Sequence, residues 1–98
     1  MDFKVIFQET FLEDLEEIVR RISVQDQSAA IRFGETVVHM GESLAFFPER
    51  HPRLRQRPSV RRYIVSKHFK IFYRVHQDSK VVEILRCWDG RRKADPKF

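Results

Sequence analysis

Between Phe47 and Val60 the spacing of the apolar residues changes period, and that change limits the chain to few folds. Before it, apolar side chains recur every three or four positions: Phe11, Leu15, Ile18 and Ile22, then Ala30, Phe33, Val37, Met40 and Leu44. After it they alternate. Phe69, Ile71, Tyr73 and Val75 fall on one side of an extended chain, and Lys70, Phe72, Arg74 and His76 on the other. The first spacing belongs to helices and the second to strands. A chain of 98 residues has room for one core, so residues 1–98 are expected to form a single domain in which both kinds of element share it.

The elements can be placed. Phe3 to Phe7 predicts a first strand, with Phe3, Val5 and Phe7 on one face. Thr10-Phe11-Leu12-Glu13 has the capping-box pattern and predicts a helix over 10–22. Glu13, Asp14, Glu16 and Glu17 near its positive end, and Arg20 and Arg21 near its negative end, suit the macrodipole and read as a solvated face. A second helix is expected over 27–47, capped by Asp26 or Ser28, with Gly34 and Gly41 marking close approach of the first. Pro48 ends it. Pro48 to Pro58 holds three prolines and four arginines and predicts an extended, solvated loop. Strands follow over Val60–Ser66, Phe69–His76 and Lys80–Trp88, and Arg91 to Phe98 reads as a polar tail. The order strand, helix, helix, strand, strand, strand predicts an α+β domain with an N-terminal strand and a three-stranded antiparallel meander in one four-stranded sheet. The helical hairpin covers one face and leaves the other open to solvent or a partner.

Several chemistries are excluded. Cys87 is the only cysteine, so no internal disulfide forms, and it reads as a small buried hydrophobe. No apolar run approaches the ~20 residues of a membrane span, and Met1-Asp2-Phe3-Lys4 carries no signal pattern, which predicts a cytoplasmic protein without membrane contact. The glycines are isolated, and His39, His51, His68 and His76 are scattered, so neither a phosphate loop nor a metal site is expected, and no cofactor.

What remains is charge. Met1 to Ala45 has nine acidic and four basic residues, whereas Phe46 to Phe98 has five acidic and fifteen basic. The second half therefore presents a positive field to a nucleic acid or an acidic protein segment. Arg50, Arg53, Arg55, Arg57, Arg61 and Arg62 crowd one stretch, Lys70 and Arg74 flank Phe72, and Arg86, Arg91, Arg92 and Lys93 surround the end of the last strand. Neighbouring strands bring such groups together. A guanidinium pairs bidentately with phosphate or carboxylate. Clustered cations can also activate a 2′-hydroxyl and stabilise a pentavalent phosphate without metal.

Ile71-Phe72-Tyr73-Arg74-Val75 followed by Val82-Glu83-Ile84-Leu85-Arg86 resembles the two-strand signature of ParE-like plasmid-stabilisation toxins in the ParE/RelE superfamily. Phe11, Asp14, Leu15 and Ile18 match the pattern of the first helix, and the resemblance covers nearly the whole chain. It implies the toxin of a type II toxin–antitoxin pair, acting on DNA gyrase without being an enzyme and neutralised by a cognate acidic antitoxin. The alternative within the superfamily is a RelE-like, metal-independent, ribosome-dependent mRNA endonuclease. Its basic set would fall on Arg61, Lys70 and Arg91 or Arg92, but no tyrosine follows Tyr73 to complete it. ParE-like members often keep a histidine after the last strand, where this chain has Trp88-Asp89. A third reading is a non-toxic binding relic. The resemblance together with the charge pattern assigns partner binding to Arg61, Lys70, Phe72, Arg74, Arg86, Trp88, Arg91 and Arg92, as a positive rim beside an exposed sheet face.

Overall fold

The computed structural model describes residues 2–98. It contains β1 (Lys4–Phe7), α1 (Glu9–Gln25), α2 (Gln27–Glu42), short 3-10 turns at Ser43–Ala45 and Pro48–Arg50, β2 (Val60–Val65), β3 (Phe69–His76) and β4 (Val81–Asp89). The sheet order is β1-β4-β3-β2. The β2–β3–β4 meander is antiparallel, and β1 pairs in parallel with β4, which makes the sheet mixed. The α+β class, the four strands and the helical hairpin all agree with the sequence reading.

The two helices lie on one face of the sheet, and the core sits between the layers. Phe11, Leu15 and Ile18 from α1 and Phe33 and Val37 from α2 meet Tyr63, Val65, Phe69, Ile71, Tyr73, Val82, Ile84 and Cys87. The alternation read along β3 is correct: Phe69, Ile71 and Tyr73 point into this core. Along β4 the alternation breaks. Phe72 pairs with Arg86 but Tyr73 with Ile84, so β4 carries one extra residue. This bulge puts Ile84 and Cys87, three positions apart, on the same face.

Four expectations need correction. Thr10 does not cap α1, which begins at Glu9 with Gln8 as its cap residue. The Thr10 hydroxyl instead donates to the Leu85 carbonyl at 3.0 Å. β1 ends at Phe7, so β4 has an unpaired edge beyond Ile84, and α1 supplies its partners. For the same reason Asp14 is not a solvated residue: its carboxylate accepts from the Cys87 amide at 3.1 Å. α2 ends at Glu42 rather than Phe47, and Asp26 is its cap, accepting from the Ala29 amide at 3.0 Å. Gly34 does approach Val19 of α1, but Gly41 meets the Phe7 ring, where a Cβ would lie 2.8 Å from a ring carbon.

The arginine- and proline-rich segment is mostly exposed, as read, but it is anchored to the sheet through Pro48, His51, Pro52 and Leu54. The Tyr73 hydroxyl donates to the Pro48 carbonyl at 2.6 Å, and His51 stacks on Tyr63 with centroids 4.7 Å apart. The Leu54 amide donates to the Val60 carbonyl and the Arg62 amide to the Pro52 carbonyl, so the segment returns along the outer edge of β2.

Candidate functional site

The face of the sheet turned away from the helices was expected to be open. Its centre is instead a second apolar cluster in which Phe72, Val60 and Leu85 are buried beneath Leu54, Trp88 and Phe98. Two segments read as polar supply the cover. Leu54 comes from the arginine-rich loop and Phe98 from the tail, whose ring lies 5.2 Å from that of Phe72. Pro96 is also buried. The signal for this was an aromatic residue at the end of a charged stretch, which alternation analysis does not weigh.

Around this cluster the strand register sets up three facing pairs: Lys70 with Trp88, Phe72 with Arg86, and Arg74 with Glu83. Lys70 Nζ lies 3.9 Å from an Asp95 carboxylate oxygen. Arg86 makes a two-pronged ion pair with Asp14, at 2.7 Å and 2.9 Å, and its third nitrogen donates to the Lys97 carbonyl at 3.0 Å. The Trp88 ring lies near both the Arg86 guanidinium, at 5.0 Å, and the Arg92 guanidinium, at 4.3 Å, and its indole N–H donates to the Ala94 carbonyl. Lys70, Phe72, Arg74, Arg86 and Trp88 thus share this face and Arg92 lies over Trp88, but Phe72, assigned to partner binding, is fully buried and offers no surface to a partner.

One residue assigned to the same rim is not there, and a second is paired within its own turn. Arg61 faces Tyr73 across the strands, on the helix side of the sheet. Its guanidinium donates to the Glu49 carbonyl at 3.1 Å and the His51 carbonyl at 2.7 Å, and holds the Pro48–Arg50 turn in place. The parity of β2 explains this: Arg61 shares a face with Tyr63 and Val65, whereas Arg62 and Ile64 share the face of Lys70. Arg91 folds onto Asp89, with side-chain contacts of 3.0 Å and 2.8 Å. The hydrogen bond from Arg91 is the main reason the Asp89 carboxyl is held well below its ordinary range.

At the β1 end of the same face, Glu83 accepts from Gln8 at 2.6 Å and from Arg74 at 3.3 Å, and lies 2.9 Å from His76 Nε2. Burial alone would raise the Glu83 pKa. The hydrogen bond from His76 and the charge of Arg74 outweigh it and hold the group below its usual 4.5. A carboxyl with a lowered folded-state pKa contributes stability above its unfolded value and loses it as pH falls through the folded one. Unfolding free energy should therefore decline as pH drops below about 4.5, and Glu83→Gln should flatten that decline. Urea titrations across that range check it; an equally steep decline in the variant would count against the cluster.

Nucleophilic chemistry at Cys87 finds little support. Burial and the nearby Asp14 charge push the Cys87 thiol up to about 12, so it stays protonated and inert. Among the described residues, no three His, Cys, Asp or Glu side chains come together to hold a metal ion. No helix among them is long and apolar enough to cross a membrane.

A family model described as the ParE toxin of the type II toxin–antitoxin system, parDE, matches residues 5–94. The chain belongs to the ParE toxin family. It is the toxin of a type II toxin–antitoxin module. Two solved structures resemble this ParE-family chain. One is described as the chromosomal ParDE TA system from P. aeruginosa, with 20% identity over 89% of this chain and 95% of that one, and a TM-score of 0.75. The other is the toxin–antitoxin complex RelBE2 from Mycobacterium tuberculosis, with 22% identity over 91% of this chain and 99% of that one, and a TM-score of 0.60. At these identities the likeness is one of fold. No match is found among curated proteins. The ParE match spans both helices and all of β2, β3 and β4, and it stops at Ala94, before the Asp95–Phe98 segment that covers Phe72.

Proposed function

We propose that this ParE-family toxin acts by binding DNA gyrase rather than by cleaving RNA, and that a cognate antitoxin neutralises it by covering Lys70 and Arg74, on either side of the buried Phe72. The observation that supports the non-nuclease reading best is the division of the basic set. Arg61 lies on the helix side and is fixed to backbone carbonyls, Lys70 lies on the opposite side, and Arg91 is paired with Asp89. A nuclease must bring its acid, base and phosphate-stabilising groups within reach of one scissile phosphate. The ParE match over residues 5–94 favours the same reading.

The antitoxin surface has its own test. Lys70 and Arg74 are half-buried cations beside an apolar centre, and Arg53 is exposed on the loop. Removing a cation that becomes desolvated against a carboxylate costs more than removing one at a solvated rim. Lys70→Ala and Arg74→Ala should each weaken antitoxin binding by about tenfold or more, and Arg53→Ala by less than about threefold. Calorimetry against the antitoxin from the same module measures this, and equal small losses in all three would remove the strand face from the interface.

A further inference from the structure

The arginines between Arg50 and Arg62 divide into two sets. Arg50 and Arg61 are spent on their own chain. Arg50 donates to the Ser43 and Phe46 carbonyls and the Ser43 hydroxyl, and Arg61 to the Glu49 and His51 carbonyls. Among the described residues, the ion pairs of arginine fall on Arg20, Arg61, Arg74, Arg86 and Arg91, and none falls on Arg53, Arg55 or Arg62. These three line one open groove of about 410 Å³ at the outer edge of β2. Asp95 is the only acidic residue on its walls, and its carboxylate already lies 3.9 Å from Lys70. The backbone that carries the guanidiniums is fixed. The Leu54 amide donates to the Val60 carbonyl at 2.8 Å, the Val60 amide to the Arg57 carbonyl at 2.9 Å and the Arg62 amide to the Pro52 carbonyl at 3.1 Å, while Arg53 bridges to Arg61. Like charges are thus held together without counter-charge, which costs the isolated domain energy that a bound anion would return.

We propose that this groove binds the phosphate backbone of duplex DNA, with Arg53, Arg55 and Arg62 each pairing with a phosphate. A guanidinium suits that contact because its fork matches two phosphate oxygens. The walls hold no aromatic residue, so the bases of a single strand find nothing to stack on. An acidic protein segment finds no apolar pocket to anchor it either, since Leu54 is already taken up by the cluster over Phe72. Backbone phosphates need neither. The groove lies beside the sheet face assigned to the antitoxin rather than over it, so the two partners make separate demands on the chain. The choice of DNA over RNA rests on the gyrase reading: gyrase works on duplex DNA, and a toxin seated on that enzyme would grip the DNA as well. The binding test contains no gyrase, so its failure would leave the gyrase assay to stand or fall by itself.

The probe is a fluorescein-labelled DNA duplex of about 20 base pairs, titrated with the full chain at salt concentrations from about 50 to about 200 mM and read by anisotropy. Three neutralised phosphates predict a slope of log affinity against log salt of about −3. The double variant Arg53→Gln, Arg55→Gln should bring that slope to about −1 and weaken binding about tenfold or more at the lowest salt. Both side chains are exposed and unpaired, so the fold does not depend on them. The double variant Arg20→Gln, Arg21→Gln removes the same charge from α1 and should leave the slope unchanged. Equal losses in the two double variants would reduce the effect to net charge and overturn the proposal, as would failure of the unaltered chain to bind at the lowest salt. A single strand, an RNA duplex or poly-glutamate bound more tightly than the DNA duplex would overturn the choice of ligand.

Discussion

Phe72→Ala should lower the unfolding free energy by about 3–5 kcal/mol, the range for truncating a buried phenylalanine. Phe72 is 0% exposed although it lies on the face that the helices do not cover. Val60 and Leu85 flank it, and Leu54, Trp88 and Phe98 lie against the same cluster. Alanine would leave a cavity that can close only if the loop and residues 94–98 move inward together. For a domain of this length the loss corresponds to a fall in Tm of roughly 15 °C or more. Were the face open to solvent, as alternation along β3 alone implies, the change would stay within about 0.5 kcal/mol. Urea unfolding distinguishes the two. A loss below about 1 kcal/mol would mean that the second cluster does not hold the sheet face in solution.

Asp14→Ala should cost about 3 kcal/mol, which is large for one of four neighbouring acidic residues on a helix. Its carboxylate accepts twice from Arg86 and once from the Cys87 amide. The pair is mostly shielded, with side-chain exposures of 16% and 20%. Truncation leaves a guanidinium without its counter-ion and a strand-edge N–H without an acceptor, and both penalties fall on the folded state. Glu16 provides the control. It pairs with Arg20 at 2.7 Å, but both side chains are mostly exposed. Glu16→Ala should therefore change stability by less than about 0.5 kcal/mol. A double-mutant cycle over Asp14 and Arg86 should return a coupling of about 1–3 kcal/mol. Additive losses would show that the two side chains act separately.

These two residues mark where the sequence was legible and where it was not. The helix-facing core follows from local periodicity, because each element buries one regular stripe. Phe69, Ile71 and Tyr73 stand where alternation puts them. The second face depends on contacts between segments far apart in the chain, and local pattern carries no information about those. Phe98 covers Phe72 from 26 positions away, and Asp14 reaches Arg86 from 72. Thr10 fits a capping box by spacing, yet the short β1 leaves the Leu85 carbonyl bare, and the hydroxyl serves that group instead. Among the candidate site residues, Lys70, Phe72, Arg74, Arg86 and Trp88 were legible as neighbours from strand pairing, whereas Arg92 lies beyond β4 and is placed by its contact with Trp88. Arg61 was misplaced because basic clustering was weighed above strand parity, which puts it with Tyr63 and Val65. The β4 bulge follows from no spacing rule, although Ile84 and Cys87, three apart and both buried, are its visible consequence.

The division of Arg61 from Lys70 bears on the central claim, that the toxin acts by binding gyrase and not by cutting message. The most direct measurement adds the purified chain to DNA gyrase and, in parallel, to a translating ribosome system carrying a defined mRNA. The account predicts loss of supercoiling with accumulation of cleaved DNA–gyrase complex, reversed by the antitoxin, and full-length mRNA throughout. Codon-dependent cleavage of the message with supercoiling unaffected would contradict it.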